Sequence, residues 1–382
     1  MKTHFDLIVV GAGIMGTFHA YHAALKNKSV LLLEKDNYPV SATVQNFGQL
    51  VPSGMVGKWH NYGARTTQIY GQIQNDFDVS VRQNGSIYVA SDADEQQLIH
   101  ELHDHFTQIS YASSLLTQAQ VLEKYPALRK SYVREALFFG QEVSAEPNAL
   151  IYRLLEYCQA KFARLTYLPN TPVIECYPIA QGVQITTSNR KVYTAEKAIV
   201  CSGAEFRLLF PELFGQSDIV VSKLQMLRTA PMPQVALEGN VLTGLTIRRY
   251  ESFQAMPSFN RISTPDHYAE LKKWGVHILF KKAPDGSFII GDSHQYADSS
   301  HANDLGFDTS QAINELMLAE AERIAHFDVR RVASSWAGFY AQHPNDIFEY
   351  DIENRVHIRT AIGGKGMTTS AGYAEATIEA LF

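Results

Sequence analysis

Residues 7–16 read Leu-Ile-Val-Val-Gly-Ala-Gly-Ile-Met-Gly, an apolar run that ends in a glycine-spaced turn. A helical stretch follows to about Leu25, with Ile14, Phe18 and Tyr21 as its apolar positions. A second apolar run, Val30-Leu31-Leu32-Leu33, then delivers Glu34 at its end. Strand, glycine turn, helix, strand and acid in that order restrict this part of the chain to a βαβ unit of the dinucleotide-binding type. Gly11 lets the strand turn tightly, Gly13 lets backbone approach a pyrophosphate, and Gly16 lets helix and strand pack closely. Ile14, Met15 and Gly16 open the helix, where unpaired N–H groups and the positive end of the dipole receive phosphate. Glu34, followed by Lys35, accepts from the hydroxyls of an adenosine ribose. The ligand these residues describe is an ADP-containing dinucleotide.

Two further segments narrow the choice. Gly363-Gly364-Lys365-Gly366-Met367-Thr368 follows a strand-like run over 356–362 and opens a helix to about Leu381. A helix N-terminus there would stabilise the negative charge that grows on the N1–C2=O edge of a reduced flavin. Between the two glycine clusters, residues 197–204 form a strand that ends in the turn Cys201-Ser202-Gly203. Together the three segments resemble the D-amino-acid oxidase-like FAD oxidoreductases, the family of glycine oxidase and sarcosine oxidase, over the whole chain.

That resemblance implies an α/β fold. A Rossmann-like FAD-binding domain of the two-dinucleotide type is interleaved with a substrate domain built on a mixed, mainly antiparallel sheet. The expected division gives 1–77, 141–220 and 331–382 to the FAD domain, and 78–140 and 221–330 to the substrate domain. Strands are expected at 85–90, 183–187, 191–193, 222–229, 244–250, 277–281 and 287–291, and helices at 92–106, from Pro147, and at 311–325. A substrate chamber would lie between the domains.

A chain of 382 residues with 46% hydrophobic and 19% charged residues has enough apolar sequence for two cores, and no tract reads as disordered. A net charge of −6 argues against nucleic acid as a partner, and no apolar run is long enough to cross a bilayer. The first apolar run is short and stopped by Gly11, so it reads as a buried strand rather than a signal peptide. Cys158, Cys176 and Cys201 show no paired spacing, which suits core thiols in a reducing, cytoplasmic setting. No His, Cys or carboxylate set has metal-ligand spacing, so no metal is expected.

The resemblance also assigns individual positions. Ala42, Thr43, Asn46 and Gly48 lie in the loop that passes the flavin in this family. Val173 offers its backbone to adenine, Ser202 and Gly203 belong to the cofactor turn, and Gly338 and Gly364 to Thr368 to the flavin side. Several members hold FAD through a cysteine in the C-terminal glycine region. This chain has no cysteine after Cys201, so its FAD is expected to be non-covalent. Amino-acid-oxidising members carry a Trp-x-Gly-x-Arg-like pattern whose arginine pairs with the substrate carboxylate. Here Trp336-Ala337-Gly338-Phe339-Tyr340 puts Tyr340 in the arginine's place. Arg228, Arg249 (or its neighbour Arg248) and Lys365 are then the candidate cations for a substrate anion, with Arg228 favoured. With 244–250 read as a strand, only one of Arg248 and Arg249 can face the chamber. His294, His60 and His343 are candidate chamber histidines. Together with Gln225-Met226-Leu227-Arg228-Thr229, the Trp-x-Gly-x-Tyr pattern resembles a branch associated with phosphonate breakdown.

The implied activity is oxidation of a small anionic amine, as an amino acid, an N-methyl amino acid or an aminophosphonate. Hydride passes from the carbon beside nitrogen to flavin N5, and the imine hydrolyses. Electrons then go to oxygen, helped by a cation such as Lys365 or His294, or to another acceptor. Two other classes stay open: an FAD enzyme acting on a 2-hydroxy acid, and a non-catalytic dinucleotide-binding protein.

Overall fold

The run at residues 7–10 is the end of a strand, His4–Val10, at the centre of an eight-stranded sheet. The computed structural model describes residues 3–382. His4–Val10 pairs in parallel with Val30–Leu33 on one side and Val192–Val200 on the other. Leu165–Leu168 and Val356–Thr360 extend the parallel order outward, and Phe348–Ile352 closes one edge antiparallel. Both faces are covered, which is why the runs at 7–10 and 30–33 are apolar at every position rather than at alternate ones. Leu7, Val9, Val30 and Leu32 pack under the helices Ile14–Leu25, Pro147–Lys161 and Gly366–Leu381. Ile8, Leu31 and Leu33 face the opposite way, against Val183 and Ile185 of a three-stranded meander.

The second sheet has nine strands. Its path runs Gln295–Asp298, Val220–Thr229, Phe288–Gly291, Leu279–Lys282, Asn240–Leu242, Ser86–Ala90, Glu135–Phe139, Ser114–Thr117. All neighbouring pairs are antiparallel except Asn240–Leu242 with Ser86–Ala90. Val332–Gln342 pairs along the whole length of Val220–Thr229. It belongs to this sheet, which therefore reaches past the boundary drawn at 331.

Several expected elements stand where the pattern put them. Asp92 accepts the N–H of Glu95 and caps the helix Ala93–Gln108, and Ser310 caps Gln311–Ile324 in the same way. The expected strands at 191–193 and 197–200 are one continuous strand, Val192–Val200. The strand expected over 244–250 is absent; the chain makes a short helix there, Gly244–Ile247. Its cause is tertiary. Gly244 lies so close to Glu95 that a Cβ would fall 2.4 Å from the carboxylate, and Arg248 at the helix end is tied to Glu95 and Asp92 at 2.7 and 2.6 Å. A buried ion pair with Glu95 and a half-buried one with Asp92 override the β-branched propensity of Thr246 and Ile247.

Candidate functional site

A cavity of about 580 Å³ lies where the two sheets meet. Two helix N-termini open onto it. The first begins at Gly13, which provides no side-chain cap, and Gly13, Ile14, Met15 and Gly16 all line the wall. The second begins at Gly366, has neither a side-chain cap nor an acidic residue in its first turn, and lines the wall from Gly363 to Thr368. Apart from the Ile14 N–H, which the Thr43 hydroxyl accepts, first-turn N–H groups and a positive dipole end suit anionic or electron-rich groups at both places.

The glycines explain how the chain gets so close. Gly11 turns at φ +95°, and a Cβ there would lie 2.3 Å from the Cys201 carbonyl oxygen. At Gly16 a Cβ would lie 1.8 Å from the Gly11 carbonyl oxygen. Gly13 is different: a Cβ there meets only the Thr43 hydroxyl, at 3.2 Å. Thr43 accepts the Ile14 N–H at 3.0 Å and holds the loop of residues 41–49 across the turn. Ala42, Asn46, Gly48, Gly203 and Gly338 complete the wall on this side. Glu34 is buried at the end of its strand and accepts the N–H groups of Ala12 and Asp36 at 2.9 and 3.1 Å. Lys35 pairs with Asp36, Val173 is buried at the start of its strand, and Ser202 keeps a buried, unpartnered hydroxyl behind the wall. Gly11, Glu34, Lys35, Val173 and Ser202 are not on the cavity wall. The two uncapped helix ends and the close glycine cradle fit a dinucleotide.

The far wall is built from the second sheet. Leu224 and Met226 face the cavity from one strand, and Gly338 and Tyr340 from its partner. Arg228 shares that face, but it lies beyond the wall and its guanidinium stands 3.4 Å from Glu146, which also binds buried Lys281 at 2.8 Å. The expectation that Arg228 holds a substrate anion is therefore corrected: it lies off the wall, and its charge is partly offset by Glu146, which it shares with Lys281. Lys365 lines the cavity, yet its ammonium lies 2.5 Å from Asp346 and 2.6 Å from Glu251. It is neutralised, as is Arg359 by Asp351 at 2.7 Å. Arg248 points away, into Glu95 and Asp92. Arg249 remains. It lines the cavity, donates to the Tyr296 hydroxyl at 2.9 Å, and among the described residues makes no ion pair. One of the two adjacent arginines does face the chamber, but by the geometry of a helix end, not of a strand.

Around Arg249 the structure assembles a group that sequence spacing hid. His277, Asp292 and His294 are buried, and their ligand-type atoms all lie within 4.8 Å of one another. His277 and His294 stack at 5.3 Å, and Tyr340 lies edge-on to His294. Burial drives His277 well below the usual imidazole range and His294 down to about 3, so both are neutral. Burial also raises the Tyr340 hydroxyl well above its ordinary value, which leaves it a neutral donor. The antiparallel return between the strands Leu279–Lys282 and Phe288–Gly291 brings His277 to Asp292. Only the two-residue step from Asp292 to His294 was visible in sequence. Of the other expected histidines, His343 lines the cavity, whereas His60 is buried off the wall against the Pro52 carbonyl.

Helix ends of the dinucleotide type on one sheet and a lined chamber on the next define a nucleotide-dependent oxidoreductase architecture. The chain belongs to the FAD dependent oxidoreductase family, whose family model matches residues 6–380, and FAD is its cofactor. It is 24% identical over 227 residues to glycine oxidase of Bacillus subtilis (strain 168), a match covering 56% of this chain and 58% of that enzyme. The aligned region spans little more than half the length of that relative. Glycerol 3-phosphate dehydrogenase of Caloramator mitchellensis is 22% identical over 374 residues, covering 96% of this chain and 69% of that one. Among solved structures, glycine oxidase from Geobacillus kaustophilus superposes with a TM-score of 0.76 at 16% identity, over 99% of this chain and 95% of that one. L-proline dehydrogenase from P. horikoshii gives 0.78 at 15% identity, over 99% and 93%. These likenesses establish the shared fold.

Proposed function

We propose that this chain oxidises a small amine that carries an anionic group. The observation that carries the reading is Arg249, the cavity guanidinium that makes no ion pair among the described residues, set beside a buried carboxylate and neutral imidazoles. Arg249 takes the substrate anion, with the Tyr296 and Tyr340 hydroxyls close by to donate to it. The amine then lies toward Asp292. The neutral amine loses hydride from the adjacent carbon as its lone pair forms the C=N bond. Water adds to the iminium and releases a carbonyl compound and ammonium, or a methylated ammonium from an N-methyl substrate. Bound FAD supplies the hydride acceptor. The chain's own residues orient the C–H bond and exclude water from the chamber. Relatives named glycine oxidase and monomeric sarcosine oxidase support an amine as the reductant. Tyr340 in place of an arginine, with Arg249 supplying the cation, suits either a carboxylate or a phosphonate head.

The test is anaerobic bleaching of the bound flavin with a panel of glycine, sarcosine, 2-aminoethylphosphonate and its N-methyl form, 2-hydroxy acids and glycerol 3-phosphate. Bleaching by an anionic amine and not by the hydroxyl compounds is the expected result. Bleaching by the hydroxyl compounds alone would replace this reading.

A further inference from the structure

Asp292 has no role in holding the cofactor or the substrate anion, yet among the described residues it is the one buried carboxylate on the cavity wall. Its Oδ1 lies 3.2 Å from His277 Nδ1 and 3.9 Å from His294 Nδ1. Neither that oxygen nor His277 Nδ1 completes a hydrogen bond. The charged and titratable groups that face it are Arg249, His277, His294, Tyr250 and Tyr340, with Tyr296 behind Arg249. A buried, incompletely satisfied carboxylate is costly to keep, so it calls for a partner in the chamber.

A metal ion is one partner that two histidines and an aspartate suggest. The local charge weighs against it. His294 Nδ1 lies 3.1 Å from the Gly275 carbonyl, so it carries its proton and donates there, leaving Nε2 as the ring nitrogen that can accept. Arg249 also lowers the proton affinity of both imidazoles, a local potential that opposes a divalent ion more than a singly charged group whose own anion sits on Arg249. An ammonium group meets that potential with a single charge, and it brings N–H donors that a carboxylate oxygen and a neutral imidazole nitrogen both accept.

We propose that Asp292 is the proton acceptor for the substrate's ammonium group, with His277 as the residue that positions its carboxylate. This rests on the amine-oxidation reading above. In the step, one N–H bond of the ammonium breaks and an O–H bond forms on Asp292. The electron pair stays on nitrogen, where it is free to form the C=N bond as hydride leaves. Arg249 and Asp292 then read the two ends of one substrate, anion and amine.

Burial raises the Asp292 carboxyl to about 7, with Arg249 pulling the other way. The sign follows directly: below about 7 Asp292 is protonated and cannot accept, and above it the carboxylate is free to do so. With the best amine substrate, kcat/KM of the holoenzyme should rise with pH through that region. In Asp292→Asn the rising limb should move toward the ammonium's own value, about 10 for an alkylammonium. At neutral pH kcat/KM should fall by roughly a hundredfold or more, as for loss of a general base, with flavin content unchanged. Wild-type protein gives an independent measure should the variant fold poorly. Two amines that differ in ammonium pKa, one of them fluorinated, should share the same acid limb. A limb that follows the substrate's own pKa would overturn the proposal. So would Asp292→Asn with an unmoved limb and near-normal efficiency, or one equivalent of metal whose removal abolishes turnover. A wild-type enzyme active only on hydroxyl substrates would first sink the amine reading, in the flavin-bleaching panel, and Asp292 would fall with it.

Discussion

Gly13 and Gly16 stand three residues apart on one turn, yet a methyl group meets different things at each. At Gly16 it strikes backbone, 1.8 Å from the Gly11 carbonyl oxygen, so the βαβ unit itself must distort. At Gly13 it meets a rotatable hydroxyl at 3.2 Å, so the fold tolerates it and only the cavity is filled. Gly13→Val should therefore purify folded but colourless, read as the ratio of flavin to protein absorbance beside an unchanged circular dichroism spectrum. Fully yellow Gly13→Val would show that the pyrophosphate does not pass there. The arginines divide in a similar way. Arg249→Ala removes the cavity guanidinium that makes no ion pair among the described residues, and losing one partner of a hydrogen-bonded charge pair costs about 2–5 kcal/mol. Its kcat/KM should fall tens to thousands of fold with normal flavin content. Arg228→Ala takes away a guanidinium that Glu146 already holds, off the cavity wall, so kcat/KM should stay within a few fold. Steady-state kinetics with the same substrate checks both, and a large loss in Arg228→Ala alone would reverse the assignment.

Elements set by local pattern were legible in sequence. The runs at 7–10 and 30–33 are apolar throughout because helices cover one face of the sheet and the meander covers the other. The Asp92 cap marks the start of its helix. The turn at Gly244 was not legible, because what bends it lies about 150 residues away in Glu95 and Asp92. A much shorter separation also hid His277 and Asp292, because only a strand pairing brings them together. Glu95 offers a direct test of that tertiary cause. It is fully buried, accepts the N–H and hydroxyl of Ser91 at 2.7 Å each, and holds Arg248. Removing one partner of a buried pair strands the other, at about 3–5 kcal/mol. Glu95→Ala should lower the thermal unfolding midpoint by several degrees. Loss of the exposed Asp78–Arg82 pair should cost about 0–1 kcal/mol by comparison. Equal midpoints for Glu95→Ala and wild type would mean that packing, not the ion pairs, shapes the turn.

At the scale of the whole molecule the cavity wall runs from Gly13 to Thr368, so both glycine clusters and both sheets must be in place before a cofactor has a site. That makes cofactor binding and global stability one equilibrium. FAD that binds only the folded chain should raise the unfolding free energy in proportion to the logarithm of its concentration, by about 2.7 kcal/mol at a hundredfold excess over Kd, and the unfolding midpoint with it. This holds only if no bond ties the flavin down, and the cysteines decide that. Cys158 and Cys176 are buried off the wall, and no cysteine follows Cys201. Cys201 lines the cavity, but its sulfur lies 3.8 Å from His19 Nδ1, and burial pushes its thiol up to about 12. A thiol so protonated is a poor nucleophile toward the flavin ring. Acid precipitation of the holoenzyme should therefore leave all the yellow colour in the supernatant and a white pellet. Flavin that stays with the washed pellet would mean that a covalent link exists and that the concentration dependence of the midpoint should vanish with it.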